Sequence, residues 1–383
     1  MDYLDLLYDD LLSQGIAHPD WMLGAMAGAL TAFFVQLYYW LGRYGGLPRF
    51  RNNRGIRPQI PSPPVSVVVV IRENGYYFIE NYLPLLLGQR YDEFEVVAVD
   101  CSYDEEIGEL LHEKSLACSR LHVTAIKQQR SAGHGTKLAL TVGIKACAYE
   151  HIVFTTTDCY PSSDKWLSLM AKGFINGDIV IGYCGIEPGK GLANRLMRWL
   201  SAATRSRAYR GIAGNIGYTK SLYFESRGFN YLNMEIGDDD LFIQKIATSD
   251  NVSVVMNPAA TMRQVPFGGL GWWRAVRRFY AYSFRYYPAR VKRSVRTELS
   301  SRLLFFALSA TAALLLPPPL IAVPLSLVLI RLLLLELKIR RIGRRVGERG
   351  LAWAYILHDF WAPIGEFALA LGNRIRPNRK IWR

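Results

Sequence analysis

Aspartates recur in this chain where a strand-like run gives way to a loop, or a loop to a helix. Asp100 ends FEVVAVD, Asp158 ends HIVFTTTD, and Asp238, Asp239 and Asp240 stand together ahead of LFIQKIA. Carboxylates in such places do one of two things. They cap the following helix by accepting from its open backbone N–H groups. Or they work on a ligand, one holding a divalent metal against a diphosphate while another takes a proton from a nucleophile. Neither GxGxxG nor GxxxxGK[ST] occurs, so the glycine-rich loops that cradle phosphates in dinucleotide and P-loop sites have no counterpart. The five cysteines, Cys101, Cys118, Cys147, Cys159 and Cys184, form no CxxC pair and support neither a zinc site nor a disulfide framework.

The elements that must position these acids are short β-branched runs alternating with helical stretches. VSVVVVI (65–71), FEVVAVD (94–100), LHVTAIK (121–127), HIVFTTTD (151–158) and GDIVIGY (177–183) read as strands. Helical stretches follow the first run to about residue 88, begin again near 104, and cover 136–148. This alternation predicts an α/β domain with a mainly parallel sheet covered by helices on both faces. In such sheets ligands bind at the carboxyl ends of the strands, which is where Asp100 and Asp158 fall.

The rest of the chain is not built like that domain. With 383 residues, 50% apolar and 20% charged, the chain is neither disordered nor a single small core. Its mean hydropathy of +0.07 is high for a soluble protein of this length. The apolar excess is concentrated. Residues 22–42 carry no charge and are long enough to span a bilayer as a helix. Acids precede them and Arg43, Arg49, Arg51, Arg54 and Arg57 follow, so the positive-inside rule places 1–21 outside and the chain after the basic linker 43–64 in the cytoplasm. A second block, 299–337, is broken at Pro317, Pro318 and Pro319 and flanked by basic residues at both ends, which fits a transmembrane or re-entrant hairpin. Arg331 and Glu336 near its end are placed to snorkel. In 338–383 a basic segment precedes an apolar stretch bearing His358, Asp359 and Glu366, read as an amphipathic helix lying in the interface. The net charge of +14 then becomes a collar facing the bilayer, and a nucleic-acid partner is excluded.

Between these anchors, in residues 65–290, VSVVVVIREN, FEVVAVDCSYDE, GTKLALTVGIKA, FTTTDCYPSSDKW and GDDDLF occur in that order. The ordered set resembles glycosyltransferase family 2, membrane-anchored bacterial members above all. The resemblance implies a GT-A fold, a nucleotide-sugar donor, a divalent metal (Mn or Mg) and an inverting transfer. It further implies a lipid-linked or glycan acceptor and an inner-membrane, multi-pass setting. Carried onto this sequence, it gives Arg72 and Glu73 to the nucleotide pocket, Asp100 to the base (a uracil N–H suits a carboxylate), and Asp104 to the ribose. Lys137 goes to the diphosphate and Asp158 to the metal. Asp158 matches the second acid of the family's DxD motif, whose first position here is Thr156. The GDDD run matches the motif that supplies the catalytic base, with Asp239 first and Asp238 or Asp240 beside it. In WWRAVRRFYAYSFRYY (272–287), Trp273, Arg274, Arg277 and Arg278 stand where processive members carry QxxRW, which is absent here, and would meet the acceptor or diphosphate. A processive polysaccharide synthase and a non-catalytic nucleotide-sugar sensor are the two other functions open at this stage.

Overall fold

The computed structural model describes residues 13, 19–39, 62–126, 136–189, 194, 197, 213–231, 239–248, 250–316 and 318–375. In chain order, helix α1 (Pro19–Leu37) precedes strand β1 (Val65–Ile71), helices α2 (Gly75–Asn81) and α3 (Leu83–Leu87), and β2 (Phe94–Asp100). Next come α4 (Glu105–Ala117), β3 (Leu121–Ala125), α5 (Thr136–Ala146), β4 (His151–Thr156), β5 (Cys159–Pro161) and α6 (Trp166–Gly173). They are followed by β6 (Ile179–Gly182), β7 (Cys184–Ile186), β8 (Ile216–Thr219), α7 (Lys220–Glu225) and α8 (Asp240–Ile246). The series closes with β9 (Val252–Val255), β10 (Met262–Gln264), α9 (Gly269–Ser283), and the long helices α10 (Ala289–Leu315), α11 (Ala322–Val346) and α12 (Leu351–Ile375). The chain separates into two compact units. One holds the described residues of Phe50–Tyr287, Gly343–Arg349 and Ala370–Arg383. The other holds those before Arg49 together with Pro288–Ile342 and Gly350–Leu369.

In the first unit seven strands lie in the order β3-β2-β1-β4-β8-β6-β9. Strands β3, β2, β1 and β4 are mutually parallel, β8 runs antiparallel to both β4 and β6, and β6 is parallel to β9. The five strands expected from the sequence are present; β8, β9 and a second sheet, β5-β10-β7, were not foreseen. The reason is length. IGYT, VSVV and MRQ are too short to show a period.

Strand β1 has no face to give to water. Val65, Val67, Val69 and Ile71 pack into one core with Phe78, Leu83, Leu86, Leu111 and Trp166. Val68 points the other way, into a core with Ala139, Ile144, Tyr218 and Phe242. This period-two split is what a strand sandwiched between two helical layers requires. Helix α5 reaches the sheet because Gly143 carries no side chain: a Cβ there would sit 2.8 Å from Val68 Cγ1 and 2.9 Å from Val99 Cγ2.

A buried amide ties the two sheets together. Asn215, just ahead of β8, accepts from Trp166 Nε1 (2.9 Å) and donates to the carbonyls of Tyr183 (2.8 Å) and Ala260 (2.9 Å). Gly214 before it has φ +108°, and a Cβ there would meet the Cys159 and Cys184 sulfurs at 3.0 and 3.3 Å. These two thiols lie 3.7 Å apart, and burial pushes the Cys159 thiol pKa well up.

In the helical unit, α1 packs along α10. Phe33 meets Phe305 (ring centroids 6.0 Å apart), and Gln36 Nε2 donates to Glu298 O (3.0 Å) and Ser301 Oγ (2.6 Å). Among the described residues, two helices are long and apolar enough to cross a membrane: Asp20–Leu37 and Ala289–Leu315. Helix α10 stops two residues short of the proline run. Arg331 does not snorkel. It is 3% exposed, and its guanidinium donates to both Asp359 carboxylate oxygens and to Gln36 Oε1 (2.8 Å). Arg302, fully buried, pairs with Glu298 and lies 3.4 Å from Asp359 Oδ1. Two arginines and two carboxylates make a neutral set, which is the form in which charge is tolerated inside an apolar bundle.

Replacing Asn215 with Ala leaves the Trp166 N–H and two carbonyls without their partner, at about 3 kcal/mol in stability. The expected outcome is a melting temperature lower by about 8 °C, read by thermal unfolding of the full-length protein. An unchanged melting temperature would mean that the amide is dispensable.

Candidate active site

A cleft of about 640 Å³ opens at the carboxyl ends of β1 and β4. Strand β8 runs the opposite way, so its amino end, Ala213, Gly214 and Ile216, reaches the same rim. The loop after β1 brings Arg72, Glu73 and Asn74, and the loop after β4 brings Thr156, Thr157 and Asp158. Thr157 Oγ1 donates to Glu73 O (3.0 Å), and Arg72 Nη1 donates to Thr136 Oγ1 at the start of α5 (3.3 Å). Gln264 ends β10, and Phe267, Gly268 and Trp272 close the cleft from the start of α9.

Asp158 is half-buried and held from both sides. Its Oδ1 accepts from Thr156 Oγ1 (2.6 Å) and its Oδ2 from Gln264 Nε2 (2.7 Å). Thr156, which occupies the first position of the acidic motif, therefore serves as a donor that orients the one carboxylate present. Strand β10 is fixed beside it by Val265 N donating to Asp158 O (2.8 Å).

The structure separates the acids of the 238–240 run. Asp239 lines the cleft at the start of α8. Its Oδ2 accepts from Tyr280 Oη (2.6 Å) and Ala213 N (3.0 Å), and its Oδ1 from Asp240 N (2.6 Å). Asp240 is turned into the core, 0% exposed. Its Oδ2 accepts from Ser283 Oγ and Tyr287 Oη (2.8 Å), and its Oδ1 from Leu241 N (2.8 Å). Asp240 thus clamps the end of α9 onto α8. Asp238 lies outside the described residues.

Other expected positions fall near the cleft without lining it. Asp100 ends β2 on the same rim, level with Ile71, and its Oδ1 accepts from Ser102 N (2.9 Å) and Ser102 Oγ (2.7 Å). Asp104 is the N-cap of α4, its side chain accepting from Glu106 N (3.1 Å). Lys137 follows Thr136 in the first turn of α5 and is half-buried. On α9 the cleft is met by Trp272 and, through Asp239, by Tyr280. Trp273 carries the Arg277 guanidinium 5.4 Å above its ring, and Arg274 and Arg278 are exposed. A helix turning 100° per residue puts 272, 276 and 280 on one face and 273 and 277 on the next. Adjacent tryptophans in the sequence could not be told apart without knowing which face of α9 looks inward. Gln264 went unnoticed because a glutamine in a three-residue strand carries no motif, and Tyr280 stood out only as one aromatic of the 272–287 run, with nothing to mark it as the partner of Asp239.

The mixed sheet, with a single reversed strand beside β4, has the arrangement of a GT-A-like fold. Among solved structures, a mannosyltransferase from Pyrobaculum calidifontis in complex with GDP-Man and Mn2+ aligns with a TM-score of 0.51 at 18% identity, over 89% of this chain and 98% of that one. S. aureus TarS 1-349 in complex with UDP-GlcNAc aligns with a TM-score of 0.44 at 18% identity, over 82% of this chain and 92% of that one. No protein-family model and no curated protein matches the sequence.

Asp240→Ala removes the buried carboxylate that Ser283 and Tyr287 share and should lower stability by about 3 kcal/mol. Asp239→Ala, which removes the acceptor of Tyr280 Oη, Ala213 N and Asp240 N at a cleft that water can enter, should lower it by less, about 1 kcal/mol. Paired thermal or denaturant unfolding curves check the ordering, and equal losses would contradict the division of labour between the two acids.

Proposed function

We propose that this chain is a membrane-anchored glycosyltransferase of the family-2 type. It moves a sugar from a nucleotide donor, a UDP-sugar, to a lipid-linked or polysaccharide acceptor at the cytoplasmic face of the inner membrane, with inversion at the anomeric carbon. The observation that carries the reading is one cleft into which separate elements bring carboxylates: Asp158 from the loop after β4, Asp239 from the start of α8, and Glu73 from the loop after β1.

Asp239 is the base. Tyr280 Oη and Ala213 N hold its Oδ2, which fixes the carboxylate in place before an acceptor arrives. It takes the proton of the acceptor hydroxyl as that oxygen bonds to the anomeric carbon. The bond from that carbon to the diphosphate oxygen breaks on the opposite face, and the nucleoside diphosphate leaves with the electron pair. Arg72 offers positive charge to the donor from the loop after β1, and Trp272 offers an aromatic face to a sugar ring. Asp100, Asp104 and Lys137 belong to the nucleotide end of the same reading, and Arg274, Arg277 and Arg278 to the acceptor end.

The donor set around Asp158 fits a divalent cation of the Mn or Mg kind only in part-share with the substrate. One carboxylate, with the Thr156 hydroxyl and the Gln264 amide beside it, matches the way such ions are held by one or two protein acids plus phosphate oxygens. Among the described residues no group of three or more His, Cys, Asp or Glu side chains makes a dedicated cage. When bound, the cation neutralises charge on the departing diphosphate.

A second reading, a nucleotide-sugar sensor without turnover, draws on Thr156 standing where the family carries an acid. Turnover separates the two. Asp158→Ala and Asp239→Ala should each lower sugar transfer from a panel of nucleotide sugars by about a hundredfold or more. Full activity in both variants would defeat the enzyme assignment, and binding without transfer in the wild type would favour the sensor. Calorimetry should show Mn2+ binding tightly in the presence of UDP and weakly without it. Equal affinity in the two titrations would mean that the protein cages the ion alone.

A further inference from the structure

The helical unit holds a second cavity, of about 790 Å³, between α1 and α10. Its lining on α10 follows one helical face, with spacings of three and four residues from Ala289 to Leu308. Along that face the chemistry changes in three steps. Lys292, Arg293 and Arg296 form the first, with Arg293 and Arg296 exposed. The exposed hydroxyls of Thr297 and Ser300 form the second, and Leu304 and Leu308 the third. Across the apolar end, α1 contributes Gly28, Ala32 and Val35. Gly28 lets Leu308 pack directly on α1, since a Cβ there would sit 2.8 Å from Leu308 Cδ1, and this contact floors the apolar end of the groove. The lining includes no Asp or Glu.

At 1.5 Å per residue the sequence of cations, hydroxyls and aliphatic side chains from Lys292 to Leu308 covers about 24 Å. That is the order met along one glycerophospholipid, from anionic headgroup through ester-bearing glycerol to acyl chain. The geometry points to a binding site for a single anionic phospholipid of the bilayer. Its phosphate lies against Lys292, Arg293 and Arg296, its glycerol region against Thr297 and Ser300, and one acyl chain lies along Leu304, Leu308 and Gly28. The site is separate from the sugar-transfer cleft and rests only on the reading of α1 and α10 as membrane-embedded. The three-step lining on one face distinguishes it from the diffuse attraction that any basic collar has for an anionic surface.

The test uses the full-length protein in nanodiscs of phosphatidylcholine with or without phosphatidylglycerol. Arg293→Glu/Arg296→Glu is compared with Arg341→Glu/Arg344→Glu, a pair of exposed arginines elsewhere with the same change in charge. Phosphatidylglycerol should raise the melting temperature of the wild type and of the 341/344 variant but not of the 293/296 variant. Native mass spectrometry should find one phosphatidylglycerol retained by the first two and lost from the third. Equal loss in both variants would overturn the defined site in favour of diffuse attraction. Inorganic phosphate reproducing the stabilisation would overturn the lipid assignment. A polyprenyl monophosphate displacing phosphatidylglycerol at equal mole fraction would overturn the choice of a bulk phospholipid. Recovery of the protein from the membrane fraction tests the anchoring separately, so its failure is not confused with failure of the site.

Discussion

Strand β1 must be dry on both sides, and much of the first unit follows from that. VSVVVVI offers β-branched side chains to both faces, so helices have to cover both. Strands β2 and β4 flank it in parallel register, from Ile71 opposite Asp100 to Val70 opposite Thr156. Parallel neighbours need crossover helices, and with both faces sealed and the sides paired, polar side chains are left only the strand ends. Arg72 and Asp158 are where they are because the strands that carry them can accommodate charge nowhere else.

The reversed strand β8 turns that rim into a site. A parallel strand beside β4 would send its amino end, with the glycine and asparagine ahead of it, to the far side of the sheet. Running backwards, β8 delivers Ala213 and Gly214 to the cleft instead. The Ala213 N–H then meets the Asp239 carboxylate at 3.0 Å. Asn215 holds the turn in place from below through three buried hydrogen bonds. A carboxylate fixed by a backbone N–H and a tyrosine hydroxyl has its orientation settled in advance, which a base requires if little reorganisation is to accompany proton transfer.

How much of this the sequence disclosed depended on the length of the signal. The runs at 65–71 and 94–100 have the bounds of β1 and β2 because each is dominated by β-branched and apolar residues over a strand's length, with polar residues only near its ends. Asp158 could be singled out from its place at a strand end. Asp239 could be found only as one of three, since adjacent residues on a cap point in different directions and the choice is made by Ser283, Tyr287 and Tyr280, forty or more residues away. Gln264 reaches Asp158 by a pairing of three-residue strands that leaves no trace in local pattern. In the helical unit, hydropathy located α1 and the proline break. It said nothing of Arg331 meeting Asp359, a contact set by the facing surfaces of α11 and α12.

The acids inside the helical bundle and the two aspartates of the cleft are held in opposite ways, and the contrast bears on function. Glu298 and Asp359 are each matched by a buried guanidinium, so their charge is spent within the bundle and none is left over for a ligand. Among the described residues, Asp158 and Asp239 receive hydrogen bonds from neutral donors: a hydroxyl and an amide for one, a phenol and backbone N–H groups for the other. Neutral donors orient a carboxylate without cancelling it. Each is therefore held at the edge of a cleft with no described cation paired to it. An arginine in place of Gln264 would hold Asp158 as firmly but would compete with any metal for its charge. The choice of amide over guanidinium at that position separates a structural ion pair from a site still open to a ligand.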